Sequence, residues 1–397
     1  MKTIKKFKIS SLKVLIFIII SMILLSSCNN YDPLKDSIID ETFDNESTTV
    51  IEREIQDNIS VQYDRSMIDF GTLDNDLSWT LYDSNVCEIV GSGEINNFFE
   101  SDAIRNYEDK ILTIKIMDDV TSVGPYAFQG CSKIERIYIG NSITNIGEWA
   151  FSSCSSLENI IIPDNVIEIE SYAFSSCDSL KSISFGAGLE KIAYGTIHEC
   201  PSLISLSINS DVPEQAFQKC TSIMSVTLGD DVKNIGNYAF SGCTSLINVD
   251  LNDGLLDIGH NAFENCTAIT NLNIPDSVEN LGDSSFENCT SLKEISFSNS
   301  LCSIGDWTFQ GCISLKTVLL FEPIEIIGEK AFAECTALEN IVLPVTLKKI
   351  SYGAFLNNSA LRTIHFAGTY SEWGKVEKVK GWNTGTSNVS MKYSSNG

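Results

Sequence analysis

Histidine is scarce in this chain, whose 397 residues include only His198, His260 and His365. The three lie far apart, with no recurring serine or cysteine beside them, and no G-x-S-x-G, H-E-x-x-H or P-loop motif occurs. Paired carboxylates are common in so acidic a sequence and do not by themselves indicate a catalytic site. We therefore expect a protein that is not an enzyme and uses no cofactor.

Basic residues are also few, with 27 Lys and Arg against 52 Asp and Glu and a formal net charge of −25. Five of the lysines lie within the first 13 residues, so 22 basic residues remain against 52 acidic ones in the rest of the chain. Such a surface repels phosphate backbones and anionic lipid headgroups. This excludes nucleic acid as a partner and favours basic protein surfaces, bound in a salt-sensitive way.

The cysteines lack the C-x-x-C clusters that bind zinc, so we expect no metal site. Ten of the 13 cysteines instead follow a fixed spacing, with gaps of 23 residues and a single gap of 20. They are Cys131, Cys154, Cys177, Cys200, Cys220, Cys243, Cys266, Cys289, Cys312 and Cys335, and Asn358 takes the next place. We call these eleven positions the cysteine ladder.

Apolar residues repeat with the same period. Three residues before each ladder position lies Phe, or once Ile197, and three residues after it lies Ile or Leu. An alternating pair such as Val249 and Leu251 follows, and most units close with an apolar-x-x-Ile/Leu-Gly turn such as Val232 to Gly236. This period, with L-x-x-L-x-L inside it, predicts a leucine-rich-repeat solenoid of about eleven 23-residue repeats between N- and C-terminal caps. The repeats are expected to be of the α/β type, mostly short parallel strands with irregular or helical-turn return segments.

Stacking of the repeats accounts for the cysteine ladder. Equivalent residues would lie roughly 4.8 Å apart with parallel Cα–Cβ vectors, whereas a disulfide needs its Cβ atoms near 3.8 Å and turned toward each other. We therefore interpret the ladder as a row of small buried hydrophobic side chains. Cys87 and Cys302 lie off the ladder, and their exposure is not determined by the pattern.

The N-terminal residues have the pattern of an export signal. A basic segment precedes the apolar run from Val14 to Leu25, and Leu25-Ser26-Ser27-Cys28 resembles the lipobox of bacterial lipoproteins. We expect a signal peptide over 1–27 and lipidation at Cys28, so that the chain contacts a membrane through a lipid anchor only. The alternative is an ordinary signal peptide with a chance cysteine. Residues 28–66 have the composition of a flexible acidic tether.

The repeat "IGNYAFSGCTSL" resembles the BspA-like family of leucine-rich-repeat surface proteins, over about residues 111–367. "WTLYDSNVCEIVGSGEI" resembles the N-terminal cap of such arrays, predicted over 67–110, and "HFAGTYSEWGKVE" resembles the segment that closes them, predicted within a C-terminal cap and tail over 368–397. Thr196-Ile197, in place of Ala-Phe, departs from the pattern, as does the shorter unit that follows.

The resemblance implies adhesion at the cell surface through binding of host matrix or plasma proteins, such as fibronectin and fibrinogen, or of other cells. It also implies a location in the cell envelope, facing outward on the lipid anchor. One alternative is a glycan-binding accessory lipoprotein of a nutrient-uptake system. Another is a purely architectural envelope protein. Repeat scaffolds of one fold accept many ligands, so the ligand must be argued from a surface.

The residues between the inward-facing positions of each strand would line one open face. Most are small or polar, but Leu319, Phe321 and Val342 are apolar, which favours a binding patch. Tyr138 and Ile161 belong to the same row and are further candidates. The alternatives are that the C-terminal segment covers the patch, or that the strand register is shifted by one.

A second candidate row is the residue just before Ala-Phe, with aromatic side chains at Tyr126, Trp149, Tyr172, Tyr238 and Trp307. These rings could anchor a partner or stack on sugars, or they could pack on the neighbouring turn. A third candidate is a row of acidic turn residues that could attract Ca²⁺. That row comprises Asp164, Asp230, Asp253, Asp276 and Glu322.

Overall fold

The structure, a computed structural model, describes residues 66–394 apart from 74, 75, 97, 101, 387 and 388. The predicted signal peptide, the lipidation site at Cys28 and all but the last residue of the predicted tether lie outside these described residues. Within them, no helix has both the length and the apolar character needed to cross a bilayer.

Antiparallel strands begin the described chain and lead into the repeats. The elements before the first repeat are strands Met67–Thr72, Ser78–Tyr82, Val86–Val90 and Gly93–Ile95, the 3-10 helix Phe98–Glu100 and the short α-helix Asp102–Arg105. Val86–Val90 pairs antiparallel with Ser78–Tyr82 and parallel with Thr113–Ile116. Trp79 and Leu81 alternate with half-buried neighbours and are fully buried, so this segment closes the first end of the core.

A short strand recurs in every repeat, and we call these the major strands. They are Thr113–Ile116, Arg136–Tyr138, Asn159–Ile161, Ser182–Ser184, Ser205–Ile208, Ser225–Leu228, Asn248–Asp250, Asn271–Asn273, Glu294–Ser296, Thr317–Leu319, Asn340–Leu343, Thr363–Phe366 and Ser390–Tyr393. In Asn159–Ile161 the central Ile160 is buried while both flanking residues are exposed, because successive side chains of a strand point to opposite faces. The predicted leucine-rich-repeat solenoid is confirmed.

Most repeats also contain a second parallel strand of two to four residues, where the sequence pattern had predicted only a turn. These minor strands are Gly93–Ile95, Val120–Val123, Asn145–Ile146, Glu168–Ile169, Lys191–Ile192, Asn234–Ile235, Asp257–Ile258, Asn280–Leu281, Ser303–Ile304, Ile326–Ile327, Lys349–Ile350 and Glu377–Lys378. A glycine follows most minor strands because the backbones of neighbouring repeats approach closely there. A Cβ at Gly259, for example, would lie 2.7 Å from backbone atoms of the preceding repeat. The turn prediction was therefore incomplete.

Stacked phenylalanine rings fill the space between the strands and the return segments. Rings from Phe128 to Phe174, and again from Phe217 to Phe355, lie parallel within 14° at centroid distances of 5.2 to 5.8 Å. Ile197 interrupts the stack. Each such ring is fully buried and stabilises the fold by roughly 1.5–3 kcal/mol relative to an exposed one.

The cysteine ladder lies beside these rings and is buried at all ten cysteines. The structure adds a polar role to the predicted packing role. From Cys154 to Cys335 each Sγ lies 3.0 to 3.4 Å from the carbonyl oxygen of Phe, or of Ile197, in the preceding repeat. Asn358 makes the same contact through Nδ2 at 2.9 Å. A ladder residue thus fills the core and donates a hydrogen bond to the repeat before it.

The irregular unit at Ile197 and the shorter repeat that follows it coincide with a break in strand pairing but do not open the core. The first hydrogen-bonded sheet of major strands ends at Ser182–Ser184, and the next begins at Ser205–Ile208. Val212 keeps only an isolated bridge to Ile235 where a minor strand would lie. Ile197 and Cys200 nevertheless remain fully buried.

Beyond the repeats, a helical turn and two strands close the second end. The α-helix Tyr370–Trp373 begins at Thr369 with a capping box completed by Glu372. Glu377–Lys378 and Ser390–Tyr393 then extend the minor and major rows. Trp382 meets the last ring of the stack, Phe355, edge to face at 5.9 Å, so the core ends against an aromatic side chain.

Candidate binding surfaces

The major strands present one outward row of side chains in the register that the sequence predicted. Pairing aligns Leu319 with Val342 and Val342 with His365, one repeat after another. The rest of this row is mostly small or polar, and its members from Tyr138 onward are Tyr138, Ile161, Ser184, Ser207, Thr227, Asp250, Asn273, Ser296, Leu319, Val342 and His365. An apolar side chain in this row therefore stands out chemically from its neighbours.

Leu319 and Phe321 are 43% and 50% exposed, so no described segment covers them. Val342 is half-buried beside them. Between Leu319 and Phe321 the inward-facing Leu320 is 1% exposed. The C-terminal strand Ser390–Tyr393 pairs beyond Thr363–Phe366 and extends the row. Of the three predicted residues, two are exposed and the third is a half-buried neighbour of Leu319 on the next strand.

Tyr138 and Ile161 lie at the other end of the row. Ile161 is 65% exposed, whereas Tyr138 is half-buried. Ser184 aligns next to Ile161, and the polar members of the row separate both residues from Leu319. The structure therefore places the five strand-face candidates in two separate groups.

The aromatic row before Ala-Phe has a backbone feature that the sequence reading missed. Tyr126, Trp149, Tyr172, Tyr238 and Trp307 all adopt the left-handed conformation, with φ between 55° and 58°. Gly195, Asn261 and Gly353 occupy the same position in other repeats, also at positive φ. Glycine and asparagine favour this conformation, so their recurrence at one repeat position was the available signal.

The structure brings Trp149 and Tyr172 together and leaves Tyr238 and Trp307 apart. The Trp149 and Tyr172 rings stack at 4.3 Å and 19°, and Tyr194 meets Tyr172 edge to face at 5.2 Å. The His198 ring lies edge to face with Tyr172, with ring centroids 6.2 Å apart. Asn261 and Ser284 fill the row between Tyr238 and Trp307. We call Trp149, Tyr172, Tyr194 and His198 the aromatic cluster; all four are half-buried.

Carboxylates line the aromatic cluster. Glu148 accepts a hydrogen bond from the Trp149 indole Nε1 at 3.2 Å, and Glu170 accepts one from the Glu148 amide at 3.1 Å. A hydrogen bond that the Tyr194 hydroxyl donates to Tyr172, burial and the nearby Glu214 carboxylate together raise the pKa of Tyr194 to about 12. The phenol is therefore neutral at physiological pH, and the charge of this surface comes from the glutamates.

An additional apolar row escaped the sequence reading. Ile204, Met224 and Ile247 precede the major strands of three consecutive repeats and are 37%, 48% and 44% exposed. Their backbones are joined, since the Met224 amide donates to Ile204 and the Ile247 amide to Met224. The sequence did carry a signal for this row. The leucine or isoleucine three residues after each ladder position is followed by a charged residue in many other repeats, as at Lys181 and Lys293, but by an apolar residue in these three.

Two of the five acidic turn residues accept hydrogen bonds from the next repeat through their carboxylates. Asp164 accepts from the Ala187 amide at 2.8 Å, and Asp276 accepts from the Asn299 amide at 3.1 Å, each one repeat later. Among residues 66–394 as described, no group of three histidine, cysteine or acidic side chains could hold a metal ion. These carboxylates thus have a structural use in joining repeats.

The three histidines occupy separate surroundings. His260 Nδ1 accepts from the Asp283 amide at 3.0 Å, and His198 Nε2 lies 3.2 Å from Gln218 Oε1. His365 is exposed on a major strand. Of the two cysteines off the ladder, Cys87 is buried and Cys302 is exposed. The described residues do not combine these groups into a nucleophile-and-base arrangement.

Comparison with known proteins agrees with this geometry. A family model for the BspA type leucine-rich repeat region matches in six copies, over residues 100–222, 210–322 and 257–376. A leucine-rich repeat protein from Bacteroides ovatus superposes with a TM-score of 0.54 at 22% identity, covering 84% of this chain and all of that one. At such identity the likeness shows the fold alone. No curated protein matches.

Two further solved structures are similar at lower scores. A leucine-rich cell surface protein from Faecalibacterium prausnitzii has 24% identity and a TM-score of 0.36, over 77% of this chain and 97% of that one. The pneumococcal vaccine antigen PcpA has 16% identity and a TM-score of 0.45, over 83% of this chain and 99% of that one. These scores are too low to support an argument about function.

Proposed function

Because the chain belongs to the BspA-type leucine-rich-repeat family, we propose that it is a protein-binding solenoid of the cell surface, without chemistry of its own. More specifically, we propose an adhesin that recognises host matrix or plasma proteins of the fibronectin or fibrinogen kind, or other cells. Solenoids of stacked repeats present extended surfaces that suit such binding. The partner is argued from the surface, since the fold alone allows many ligands.

We also propose the organisation that would hold this solenoid outside the cell. A signal peptide over 1–27 would be removed, and Cys28 would carry the lipid anchor in the cell envelope. Residues 28–66 would form the tether, 67–110 the N-terminal cap, 111–367 the repeats and 368–397 the C-terminal cap and tail. Treated as a flexible coil, the tether would reach roughly 30–35 Å from the membrane. That distance suits contact with a partner beyond the envelope surface.

The observation that supports adhesion is the exposure of Leu319 and Phe321 on a strand face whose other members are mostly polar. Burying such a pair in an interface removes apolar surface from water, which is the main source of binding free energy. The acidic surrounding surface, with a net charge of −25 over the chain, favours a partner with basic residues around an apolar centre.

The test uses the domain that begins at Asn29, applied to immobilised fibronectin and fibrinogen. A variant with Leu319→Ser, Phe321→Ser and Val342→Ser removes the patch. Ile167→Ser is the control, because Ile167 is 47% exposed but precedes a minor strand and lies off the strand face. We expect specific binding that the triple variant loses and the control keeps.

Other outcomes correct the proposal in defined ways. Binding that survives the triple variant but not Ile161→Ser would move the interface to the first repeats. Binding that survives both would remove the strand face from the proposal. If neither matrix protein is bound by the intact domain, an array of polysaccharides would test the second candidate.

That second candidate is a glycan-binding accessory lipoprotein of a nutrient-uptake system, and the half-exposed rings of Trp149 and Tyr172 favour it. Sugar binding works best on rings that lie side by side and present a broad common plane. Trp149 and Tyr172 instead stack face to face at 4.3 Å, so each ring covers one face of the other. The geometry therefore supports protein binding more than glycan binding. A purely architectural role would leave the Leu319 patch without a function.

A further inference from the structure

The aromatic cluster of Trp149, Tyr172, Tyr194 and His198 lies where the repeat pattern is irregular. In this unit Gly195 takes the left-handed position that Tyr172 holds one repeat earlier. A Cβ on Gly195 would come within 2.6 Å of the Tyr172 ring, so only glycine leaves room for that ring to lie over it. The departure from the repeat pattern thus gathers rings that elsewhere along the row stand alone.

Negative charge surrounds these rings. Glu148 and Glu170 lie on the Trp149 side, and Glu214 is close enough to Tyr194 to raise the pKa of its phenol. Glu199 lies beside His198, with Oε2 3.9 Å from Nδ1. The nearby lysines already have acidic partners: Lys219 pairs with Glu199 at 2.6 Å, and Lys191 pairs with Glu168. The surface therefore combines aromatic rings with an excess of carboxylates.

This combination suits a positively charged side chain. A lysine or arginine cation is attracted to the face of an aromatic ring, most strongly to tryptophan, and a carboxylate beside the ring strengthens the contact. A cation needs only one ring face, and the face of Trp149 turned away from Tyr172 would supply it. Within the described residues, the chain's own cation–ring contacts lie elsewhere, from Lys110 to Tyr107 at 5.4 Å and from Lys378 to Trp373 at 4.3 Å.

We propose that the aromatic cluster is a docking site for lysine and arginine side chains of a protein partner. This inference rests on the proposed role in protein binding and adds a second contact surface with its own chemistry. The negative field of the whole chain would draw a basic segment toward the solenoid, and the ring–carboxylate cluster would decide where it binds. Leu319 would supply apolar contact, and the cluster would supply recognition of charge.

The experiment measures binding of a synthetic peptide of alternating arginine and glycine to the domain beginning at Asn29, by titration calorimetry at low and physiological salt. The cluster variant combines Trp149→Asn and Tyr172→Asn, because Asn261 shows that this row accepts asparagine, at φ 56°. The control variant combines Tyr238→Asn and Trp307→Asn. Both variants lose two aromatic rings at left-handed positions and keep the net charge.

We expect the cluster variant to bind the peptide about tenfold more weakly than the intact domain, and the control variant to bind within about twofold of it. A peptide with citrulline in place of arginine keeps the shape without the charge and should not bind. Far-ultraviolet circular dichroism confirms that both variants are folded.

Four results would overturn the inference. Equal loss in both variants would mean that aromatic rings contribute without preference for the cluster, and no loss in either would mean diffuse attraction to an acidic surface. Absence of peptide binding by the intact domain would remove the site. Binding of a neutral oligosaccharide that only the cluster variant loses would assign the cluster to sugars. The peptide titration does not involve a matrix protein. A failure to bind fibronectin or fibrinogen therefore tests the proposed adhesion, and a failure to bind the peptide tests this site.

Discussion

Asn358 is the one member of the cysteine ladder that is not cysteine, and exchanging it tests why cysteine recurs there. Its Nδ2 donates to the Phe332 carbonyl at 2.9 Å, but its Oδ1 is buried and has no hydrogen-bond partner among the described residues. One repeat earlier, Cys335 makes the equivalent contact to Phe309 at 3.2 Å. A thiol donates in the same way and leaves no buried acceptor without a partner.

The size of the effect follows from that oxygen. A buried polar group without a hydrogen bond costs about 1–3 kcal/mol. Asn358→Cys removes this cost and loses a little packing, so we expect a gain of about 1 kcal/mol in the free energy of unfolding. The reverse change, Cys335→Asn, adds the orphaned oxygen and also forces a larger side chain into a close-packed core. We expect it to lower the free energy of unfolding by about 2–3 kcal/mol.

Urea unfolding under reducing conditions measures both variants, and amide hydrogen exchange over 332–366 locates the effect, because each repeat is stabilised mainly by its neighbours. Ser359→Cys is the control: it adds a thiol at an exposed neighbouring position and should leave stability unchanged. The explanation is wrong if Asn358→Cys destabilises the protein or if Cys335→Asn has no effect.

Three further predictions follow from single contacts. Iodoacetamide at pH 8 should modify the exposed Cys302 and spare the buried cysteines, because burial raises the pKa of Cys243 and Cys312 to about 12. Mass spectrometry that finds several ladder cysteines alkylated before the protein unfolds would contradict this prediction. Glu334 has a left-handed backbone, with φ 61°. In thermal unfolding, Glu334→Gly should therefore have a free energy of unfolding about 1–2 kcal/mol higher than Glu334→Thr. Equal stabilities would argue against backbone strain at this position. Hydrogen bonds from the Thr369 backbone and hydroxyl lower the pKa of Glu372. The contribution of Glu372 to folding stability is therefore present above the ordinary pKa of 4.5 and is lost as the pH falls through the lowered pKa. Glu372→Gln should flatten this acid dependence of the melting temperature, and an unchanged profile would refute the assignment.

The repeat fold was predictable because the same sequence pattern recurs in about eleven units. Phe at one position and cysteine three residues later recur along the chain, and such a set can be buried only if the units stack. The minor strands were not predicted as strands, since Asn234–Ile235 has only two residues and gives no alternating pattern. The hydrogen bond from each cysteine to the preceding repeat was also missed, because it depends on where a carbonyl of another repeat points.

The binding surfaces were predictable only in part. The outward position of Leu319 followed from strand alternation and was read correctly, and its exposure needed the structure, since a covering segment leaves no mark in the local pattern. The row containing Ile204 and Met224 was overlooked because a single exposed apolar residue is ordinary within its own repeat. Its continuity appears only when the repeats are laid side by side.

By itself the sequence determined the solenoid, the period of its repeats and the burial of the phenylalanine and cysteine rows, because these depend on side chains at regular intervals along one chain. Only the tertiary structure decided which aromatic residues meet. Trp149 and Tyr172 are 23 residues apart, the same spacing as Tyr126 and Trp149, yet they stack and are joined by Tyr194 where a glycine replaces the next ring. Contacts between repeats depend on space and charge across the stack, and those are properties of the assembled solenoid.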